Sequence, residues 1–200
     1  MPPPIDVFFE FASPYSYLAA QRLPEIAARR GRALRWRPVE MAKVWEAQGV
    51  LEAYMAVRRV KVRYIMQDAA MVAADAGVPL VRSKGLPNSG LARLTVHRLN
   101  RTFPDLAQPF ILATWRKLFG AGGEIGDLAA LCQGLEQPLP DEIAAAADDA
   151  EAAIELDRAN RDAVAAGCFG VPWIVADGVA YFGQDRLHFL DRQLDREAAR

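Results

Sequence analysis

Apolar residues near the beginning of the chain are spaced in two ways, one typical of strands and one typical of a helix. Residues 5–10 form a short apolar run, and residues 34–39 alternate apolar and basic side chains up to a proline, as a half-buried strand does. Between them, Pro14 to about Arg30 carries apolar residues at helical spacing, and Gly31 ends that pattern. We therefore predict a βαβ unit with two parallel strands.

The middle of the chain, from about residue 42 to residue 166, has the apolar spacing of helices. Glycine and proline residues separate the segments, and no internal repeat is visible. The last segment is expected to be broken. The predicted helices are 52–76, 88–102, 105–119, 126–134 and 140–166.

Strand patterns return near the end of the chain. Gly170–Ala176 is predicted as a strand, and Asp177-Gly178 is a strong signal for a two-residue hairpin turn. Val179–Phe182 should pair back along that strand. A last helix should follow, with Asp185 as its N-cap.

This order of elements predicts the architecture. A βαβ unit, a large helical insertion and a ββα unit together indicate the α/β class and a thioredoxin-like fold. We predict a thioredoxin-like domain from residues 1–41 and 167–200, with an α-helical subdomain inserted at residues 42–166.

Composition narrows the class of protein. The 200 residues are 52% hydrophobic, and 24 basic against 25 acidic side chains give a net charge of −1, which excludes a global field that recruits nucleic acid. No apolar run has the length of a membrane span, and residues 1–6 lack the pattern of a secretory signal. These features favour a cytoplasmic protein that binds no membrane.

Cysteine and histidine are too sparse for redox or metal motifs. Cys132 and Cys168 form neither a C-x-x-C pair nor a zinc-ligand spacing. His97 and His188 cannot build a histidine-based metal site, so we expect no metal. Cys168 precedes a proline-containing loop, but a lone buried thiol is its simpler interpretation.

Ser13 follows the first predicted strand and begins the first predicted helix. Its hydroxyl can serve as an N-cap, with Pro14 at the first helical position. The same place favours an anion, since unpaired N–H groups and the helix dipole meet there. In a thioredoxin-like fold, this helix start, the loop before the third strand and the turn into the last helix surround one bound thiol. Val171-Pro172 stands in that loop, and we hypothesise a cis bond there.

Three motifs together resemble the 2-hydroxychromene-2-carboxylate isomerase family. They are Ser13–Leu18, Phe169–Pro172 and Phe182–Leu187, and the resemblance covers nearly the whole chain. That family and the kappa-class glutathione transferases belong to the DsbA-like thioredoxin superfamily. The resemblance implies a glutathione-dependent isomerase of aromatic (naphthalene-type) degradation, and we expect a homodimer.

The resemblance also implies roles for individual residues in holding glutathione. Ser13 matches the serine that stabilises the glutathione thiolate, and Lys61 matches a lysine near the glutathione carboxylate. The backbone of Val171, next to Pro172, matches the partner of the cysteinyl part, while Gln184 and Asp185 match the pair that holds the γ-glutamyl end. The family often has Gly-Asn after the second strand, where this chain has Gly49-Val50.

The implied reaction needs an ionised glutathione thiol, which a hydroxyl donor such as Ser13 stabilises. A free thiol has a pKa near 8.5 and is mostly protonated at neutral pH, whereas the thiolate is the nucleophile. The thiolate would add reversibly to an unsaturated carbon of 2-hydroxychromene-2-carboxylate after ring opening. Rotation and expulsion would then give trans-o-hydroxybenzylidenepyruvate without consuming glutathione.

An aromatic carboxylate substrate needs an apolar wall and a polar or cationic partner. We predict Lys43, Tyr64 and Asn88 as substrate-binding residues. On a helix, Lys61 and Tyr64 share one side, although Lys61 also lies in a basic stretch typical of a solvated helix face. Further candidates for the pocket are Trp45, Tyr54, Arg63 and Trp115.

Three alternatives stay open. A kappa-like glutathione transferase would share every glutathione contact and differ in its second substrate. A DsbA-like thiol oxidoreductase is disfavoured because the chain lacks C-x-x-C. A non-enzymatic thiol-binding module would keep the glutathione groove without a substrate pocket.

Overall fold

A four-stranded sheet forms the centre of the fold. The computed structural model describes residues 2–82, 85–132 and 138–198. The strands lie in the order β2-β1-β3-β4, with β1 parallel to β2, and with β3 antiparallel to both β1 and β4. The predicted βαβ and ββ connections are confirmed. The strands are β1 (Ile5–Phe9), β2 (Leu34–Pro38), β3 (Trp173–Ala176) and β4 (Val179–Phe182).

Helices fill most of the remaining described chain. The α-helices are α1 (Pro14–Ala20), α2 (Leu23–Arg29), α3 (Met41–Ala47), α4 (Leu51–Asp75), α5 (Gly90–Thr102), α6 (Pro104–Trp115), α7 (Leu128–Cys132), α8 (Ala150–Ala165) and α9 (Leu187–Ala198). A π-helical turn covers Arg116–Gly120, and 3-10 helices cover Asp141–Asp148 and Gln184–Arg186. Of the predicted helix 126–134, residues 133 and 134 lie outside the described residues.

The hairpin between β3 and β4 turns at Asp177 and Gly178. Their φ angles are 50° and 82°. A type I′ turn needs positive φ at both central residues, and Asp-Gly is one of the pairs that accept it. The turn chemistry read from the sequence is therefore confirmed.

Apolar side chains cover both faces of the sheet. On one face, Val7 and Phe9 of β1 belong to a buried cluster that continues through α1, α2, α5 and α6. On the other face, Phe8 and Trp173 pack with apolar residues of α3 and α8. The helices inserted between β2 and β3 therefore extend the core of the sheet. The division into two subdomains stays a prediction.

Several predicted boundaries are wrong. The single helix to Arg30 is two helices, because Pro24 lacks an N–H and its ring would clash with the carbonyl four residues earlier. Gly170–Pro172 precedes β3 and is a loop. Asp185 lies inside a 3-10 turn and pairs with Arg186 at 2.8 Å, and among the described residues no backbone N–H donates to its carboxylate, so it does not cap α9.

Other expectations agree with the structure. The break predicted in the segment 140–166 lies at Asp149, whose carboxylate caps α8 by accepting from the Ala152 N–H at 3.0 Å. The short helix α3 was not predicted. Among the described residues, no helix combines the length and the apolarity needed to cross a bilayer.

Candidate active site

The Ser13 hydroxyl joins the start of α1 to the loop before β3. As N-cap, its Oγ accepts a hydrogen bond from the Ser16 N–H at 3.2 Å. The same hydroxyl donates to the carbonyl oxygen of Val171 at 3.2 Å, across 158 positions of sequence. The N-cap and the loop contact are therefore made by one half-buried side chain, and the two interpretations of Ser13 are compatible.

The loop that Ser13 contacts is Cys168–Pro172, called the proline loop below. Its Val171-Pro172 bond is cis, as hypothesised. Among the described residues the Val171 N–H donates no hydrogen bond, and its carbonyl accepts only from Ser13. Val171 therefore presents one amide donor and one lightly held acceptor at the start of α1.

The 3-10 turn that contains Gln184 and Asp185 is tied to the same loop. The Gly183 N–H donates to the Pro172 carbonyl at 3.0 Å. Gly183 has a φ of 92°, a left-handed conformation that strains any residue with a side chain, so glycine is favoured there. This turn also packs against α1. The three segments predicted to surround a thiol thus meet.

Helix α4 approaches the same place from the other side. The Tyr15 hydroxyl donates to Asp68 Oδ2 at 2.7 Å. Burial, followed by the hydrogen bond and charge of Asp68 and by the proximity of Tyr64 and Asp185, raises the pKa of Tyr15 well above its ordinary value. The structure therefore brings Tyr64 and Asp185 near the start of α1.

Lys61 lies on the same side of α4, one and two turns before Tyr64 and Asp68. Its Nζ sits 4.7 Å from the centre of the Tyr54 ring, and Tyr54 stacks on Trp45 with ring centres 3.7 Å apart. Within the described part of the chain Lys61 forms no ion pair. Its ammonium group is therefore held in place by an aromatic face and is available to a carboxylate.

Two predicted substrate residues lie apart from this cluster. Lys43 lines an open cleft of about 450 Å³ between α3 and α8, and its Nζ lies 3.7 Å from Glu46. Asn88 is exposed in the segment before α5, where its Oδ1 accepts from the Gly90 N–H at 3.4 Å. No contact among the described residues connects either side chain to Ser13.

Two further aromatic and basic candidates also differ in position. Trp115 is wrong as a pocket wall, since it is fully buried in the core and its indole N–H donates to the Phe11 carbonyl at 3.2 Å. Arg63 lies on the flank of α4 opposite Lys61, beside Arg82 in a second cleft. Helical spacing could not separate a core aromatic from a pocket aromatic.

Sequence reasoning missed a buried ion pair next to Ser13. The Glu10 carboxylate accepts hydrogen bonds from Arg93 at 2.9 Å and from the Ser89 hydroxyl at 2.8 Å. Burial raises the pKa of Glu10, and the Arg93 charge opposes that rise. Because the Glu10 carbonyl accepts from the Ser13 N–H at 3.0 Å, this pair supports the turn into α1. An acidic residue directly after an apolar strand was the available signal.

Comparison with known proteins agrees with this geometry. A family model described as the DSBA-like thioredoxin domain matches residues 4–195. The chain belongs to the DsbA-like thioredoxin family. Within the described residues, no group of three or more His, Cys, Asp or Glu side chains could hold a metal ion.

Curated relatives of this DsbA-like chain share one name. The chain is 27% identical over 204 residues to the 2-hydroxychromene-2-carboxylate isomerase of Sphingobium xenophagum, and the match covers 95% of this chain and 97% of that protein. It is 27% identical to the protein of the same name from Pseudomonas putida, with 96% and 94% covered.

Solved structures give the same fold. A 2-hydroxychromene-2-carboxylate isomerase superposes with a TM-score of 0.80 at 25% identity, over 96% of this chain and 94% of that one. A probable DsbA oxidoreductase from Streptomyces coelicolor superposes with a TM-score of 0.74 at 18% identity, over 96% and 88%. The predicted α/β thioredoxin-like fold is confirmed.

Proposed function

We propose that this DsbA-like protein is a glutathione-dependent isomerase that converts 2-hydroxychromene-2-carboxylate to trans-o-hydroxybenzylidenepyruvate in aromatic degradation. The contact of the Ser13 hydroxyl with the Val171 carbonyl carries the proposal, because it places a hydroxyl donor beside a backbone amide that can pair with a peptide. The likeness to isomerases over nearly the whole chain supports the reaction class.

The residues present fit a thiol-containing peptide. Val171 offers an N–H that donates no hydrogen bond among the described residues and a carbonyl that accepts only the Ser13 hydroxyl at 3.2 Å. Rotation of that hydroxyl toward a sulfur would leave the carbonyl open to a peptide N–H. One hydrogen bond within the protein would thus be replaced by several with the ligand, at little net cost.

The ends of glutathione would be held by groups on two different elements, helix α4 and the 3-10 turn Gln184–Arg186. Lys61 is suited to the glycyl carboxylate, since it is exposed and has no anionic partner among the described residues. Gln184 and Asp185 would hold the γ-glutamyl end on the turn that follows Gly183. Val50 stands where the family often has asparagine, and its side chain has no amide group to offer a ligand.

Glutathione, when bound, would supply the thiolate that adds reversibly to the unsaturated carbon and permits rotation about the resulting single bond. Ser13 would donate its hydroxyl proton as a hydrogen bond to the sulfur and so favour the ionised form. Helix α1 has only seven residues, so its dipole adds little and the hydroxyl is the principal donor. Serine has no thiol, so the site cannot perform disulfide exchange itself.

Tyr64 is the predicted substrate residue that the geometry supports best. Its ring is 62% exposed and stands near the Tyr15 hydroxyl, so it offers an aromatic face beside the thiol position. Lys43 and Asn88 stay predictions, because no contact among the described residues connects either side chain to Ser13.

An absorbance assay with authentic 2-hydroxychromene-2-carboxylate tests the proposal. We expect isomerisation that requires glutathione and leaves its concentration unchanged. Net consumption of glutathione would identify a transferase instead. Glutathione binding without turnover would identify a thiol-binding module, and disulfide exchange with a peptide substrate would identify an oxidoreductase.

We also propose that two copies of the chain associate. Helix α4 exposes apolar side chains along its outer surface, and Val60 is 73% exposed. Light scattering on the purified protein should give about twice the mass of one chain, and a monomer mass would contradict this part of the proposal.

A further inference from the structure

Every carbonyl of the proline loop accepts a hydrogen bond from a different group. The Val171 carbonyl accepts from the Ser13 hydroxyl, and the Pro172 carbonyl accepts from the Gly183 N–H. Gln48 Nε2 donates to the Cys168 carbonyl at 2.8 Å, and Trp45 Nε1 donates to the Phe169 carbonyl at 2.9 Å. The Cys168 thiol donates to the Gly170 carbonyl at 3.4 Å. The loop is therefore held along its whole length, while its Val171 N–H stays available.

Two of these donors come from one short element far away in sequence. Trp45 lies in α3 and Gln48 is the C-cap residue of the same helix. Both side chains reach carbonyls immediately before Gly170, which has no side chain of its own to anchor it. The two contacts therefore restrain the chain directly ahead of Val171.

Trp45 has a second contact, with helix α4. Its ring stacks on the Tyr54 ring, with centres 3.7 Å apart and planes inclined by 26°. The Lys61 ammonium lies 4.7 Å from the centre of the Tyr54 ring. Trp45 and Tyr54 together thus connect the proline loop to the lysine on α4. A cation over an aromatic ring is stabilised, and the ring limits where the long lysine chain can go.

We propose that Trp45 is a positioning residue that sets the spacing between the Val171 amide and the Lys61 ammonium. Its indole N–H donates to the Phe169 carbonyl of the proline loop, and its ring face packs on the Tyr54 ring, over which Lys61 lies. Gln48 assists by holding the neighbouring carbonyl. The inference rests on the proposed function, since the two groups so spaced are the intended partners of the cysteinyl and glycyl parts of glutathione.

Trp45→Phe is the informative variant, because it keeps a ring for stacking and removes the N–H donor. Hydrogen exchange should become faster at the amides of Cys168 and Gly183, which are hydrogen-bonded at the two ends of the proline loop (2.9 Å to the Ala163 carbonyl and 3.0 Å to the Pro172 carbonyl), while exchange in the sheet stays as in wild type. Calorimetric titration with glutathione should show affinity weakened about three- to ten-fold, as expected for one misplaced hydrogen-bonding partner.

Matched variants separate positioning from general stability. Trp36→Phe also removes an indole hydrogen bond, to Gln108 at 3.1 Å, but on strand β2 in the core. It should lower the melting temperature and leave glutathione affinity unchanged. Tyr54→Leu removes the stacked ring and should weaken glutathione binding to a degree similar to Trp45→Phe.

The outcomes distinguish this inference from the proposed function. Wild-type loop exchange and wild-type affinity in Trp45→Phe would overturn the inference while leaving the proposed function intact. Failure of the wild-type protein itself to bind glutathione would refute the proposed function, and the inference with it.

Discussion

The Tyr15 hydroxyl and the Asp68 carboxylate are joined by a hydrogen bond of 2.7 Å, which connects the first turn of α1 to the middle of α4. Tyr15 follows Ser13 by two positions, and Asp68 shares a helix side with Lys61 and Tyr64. This contact therefore helps to hold α1, with Ser13 at its N-cap, and α4, which carries Lys61, at their observed separation.

Removal of the Tyr15 hydroxyl should loosen that connection. We expect Tyr15→Phe to lower the free energy of unfolding by about 1 kcal/mol, the usual net value of one hydrogen bond, or somewhat more because the acceptor is charged. Urea denaturation measures this loss. Tyr64→Phe removes a hydroxyl from an exposed ring and serves as the control with unchanged stability. Equal stability of both variants would contradict a structural role for the contact.

The buried pair of Glu10 and Arg93 should respond strongly to removal of one charge. Glu10→Gln leaves the Arg93 guanidinium buried beside a neutral amide, and we expect a loss of about 3–5 kcal/mol. The double variant Glu10→Gln with Arg93→Leu should recover part of that loss, since no charge is then left unpaired. Additive losses in the double variant would show that the two side chains are not coupled.

His97 should make the stability depend on pH. Burial, aided by the charges of Arg37 and Arg93, lowers its pKa from 6.5 to about 4, although its Nε2 hydrogen bond to the Pro38 carbonyl opposes that shift. The His97 imidazole therefore binds a proton below about pH 6.5 in the unfolded chain, but only below about pH 4 in the folded protein. Stability should thus fall with falling pH in that window.

The size of the His97 effect can be isolated with variants. Between pH 7 and pH 5 we expect a loss of roughly 2 kcal/mol from this residue. His97→Gln should remove that component of the pH profile of urea unfolding, whereas substitution of the exposed His188 should preserve it. A profile of the same steepness in His97→Gln and wild type would contradict the assignment.

The parts of the fold that the sequence predicts are those specified by local pattern. The alternation in residues 34–39, the Asp177-Gly178 turn and the Ser13-Pro14 helix start depend on near neighbours, and each is present. The break between α1 and α2 is local as well, because Pro24 alone prevents one continuous helix.

The parts that could not be predicted depend on contacts between distant segments. Trp45 and Gln48 give no sign in the sequence that they reach the proline loop, about 120 positions away. Trp115 has the same helical spacing whether it lines a pocket or the core, and only packing decides. The resemblance of three motifs to one family located the candidate site, while the tertiary structure revealed the side chains that support it.

The central claim is that Ser13 stabilises a bound thiolate, and the ionisation of glutathione on the protein tests it most directly. Ser13→Ala removes the hydroxyl that contacts Val171. Ser16→Ala is the matched control, because its hydroxyl lies one turn away, is buried and has no hydrogen-bond partner among the described residues.

The measurement is an ultraviolet titration of thiolate absorbance at saturating protein. In wild type and in Ser16→Ala we predict that the pKa of bound glutathione lies at least one unit below the value of about 8.5 for a free thiol. In Ser13→Ala it should return toward that value. An unshifted pKa in the wild type, or an equal shift in Ser13→Ala, would contradict the account.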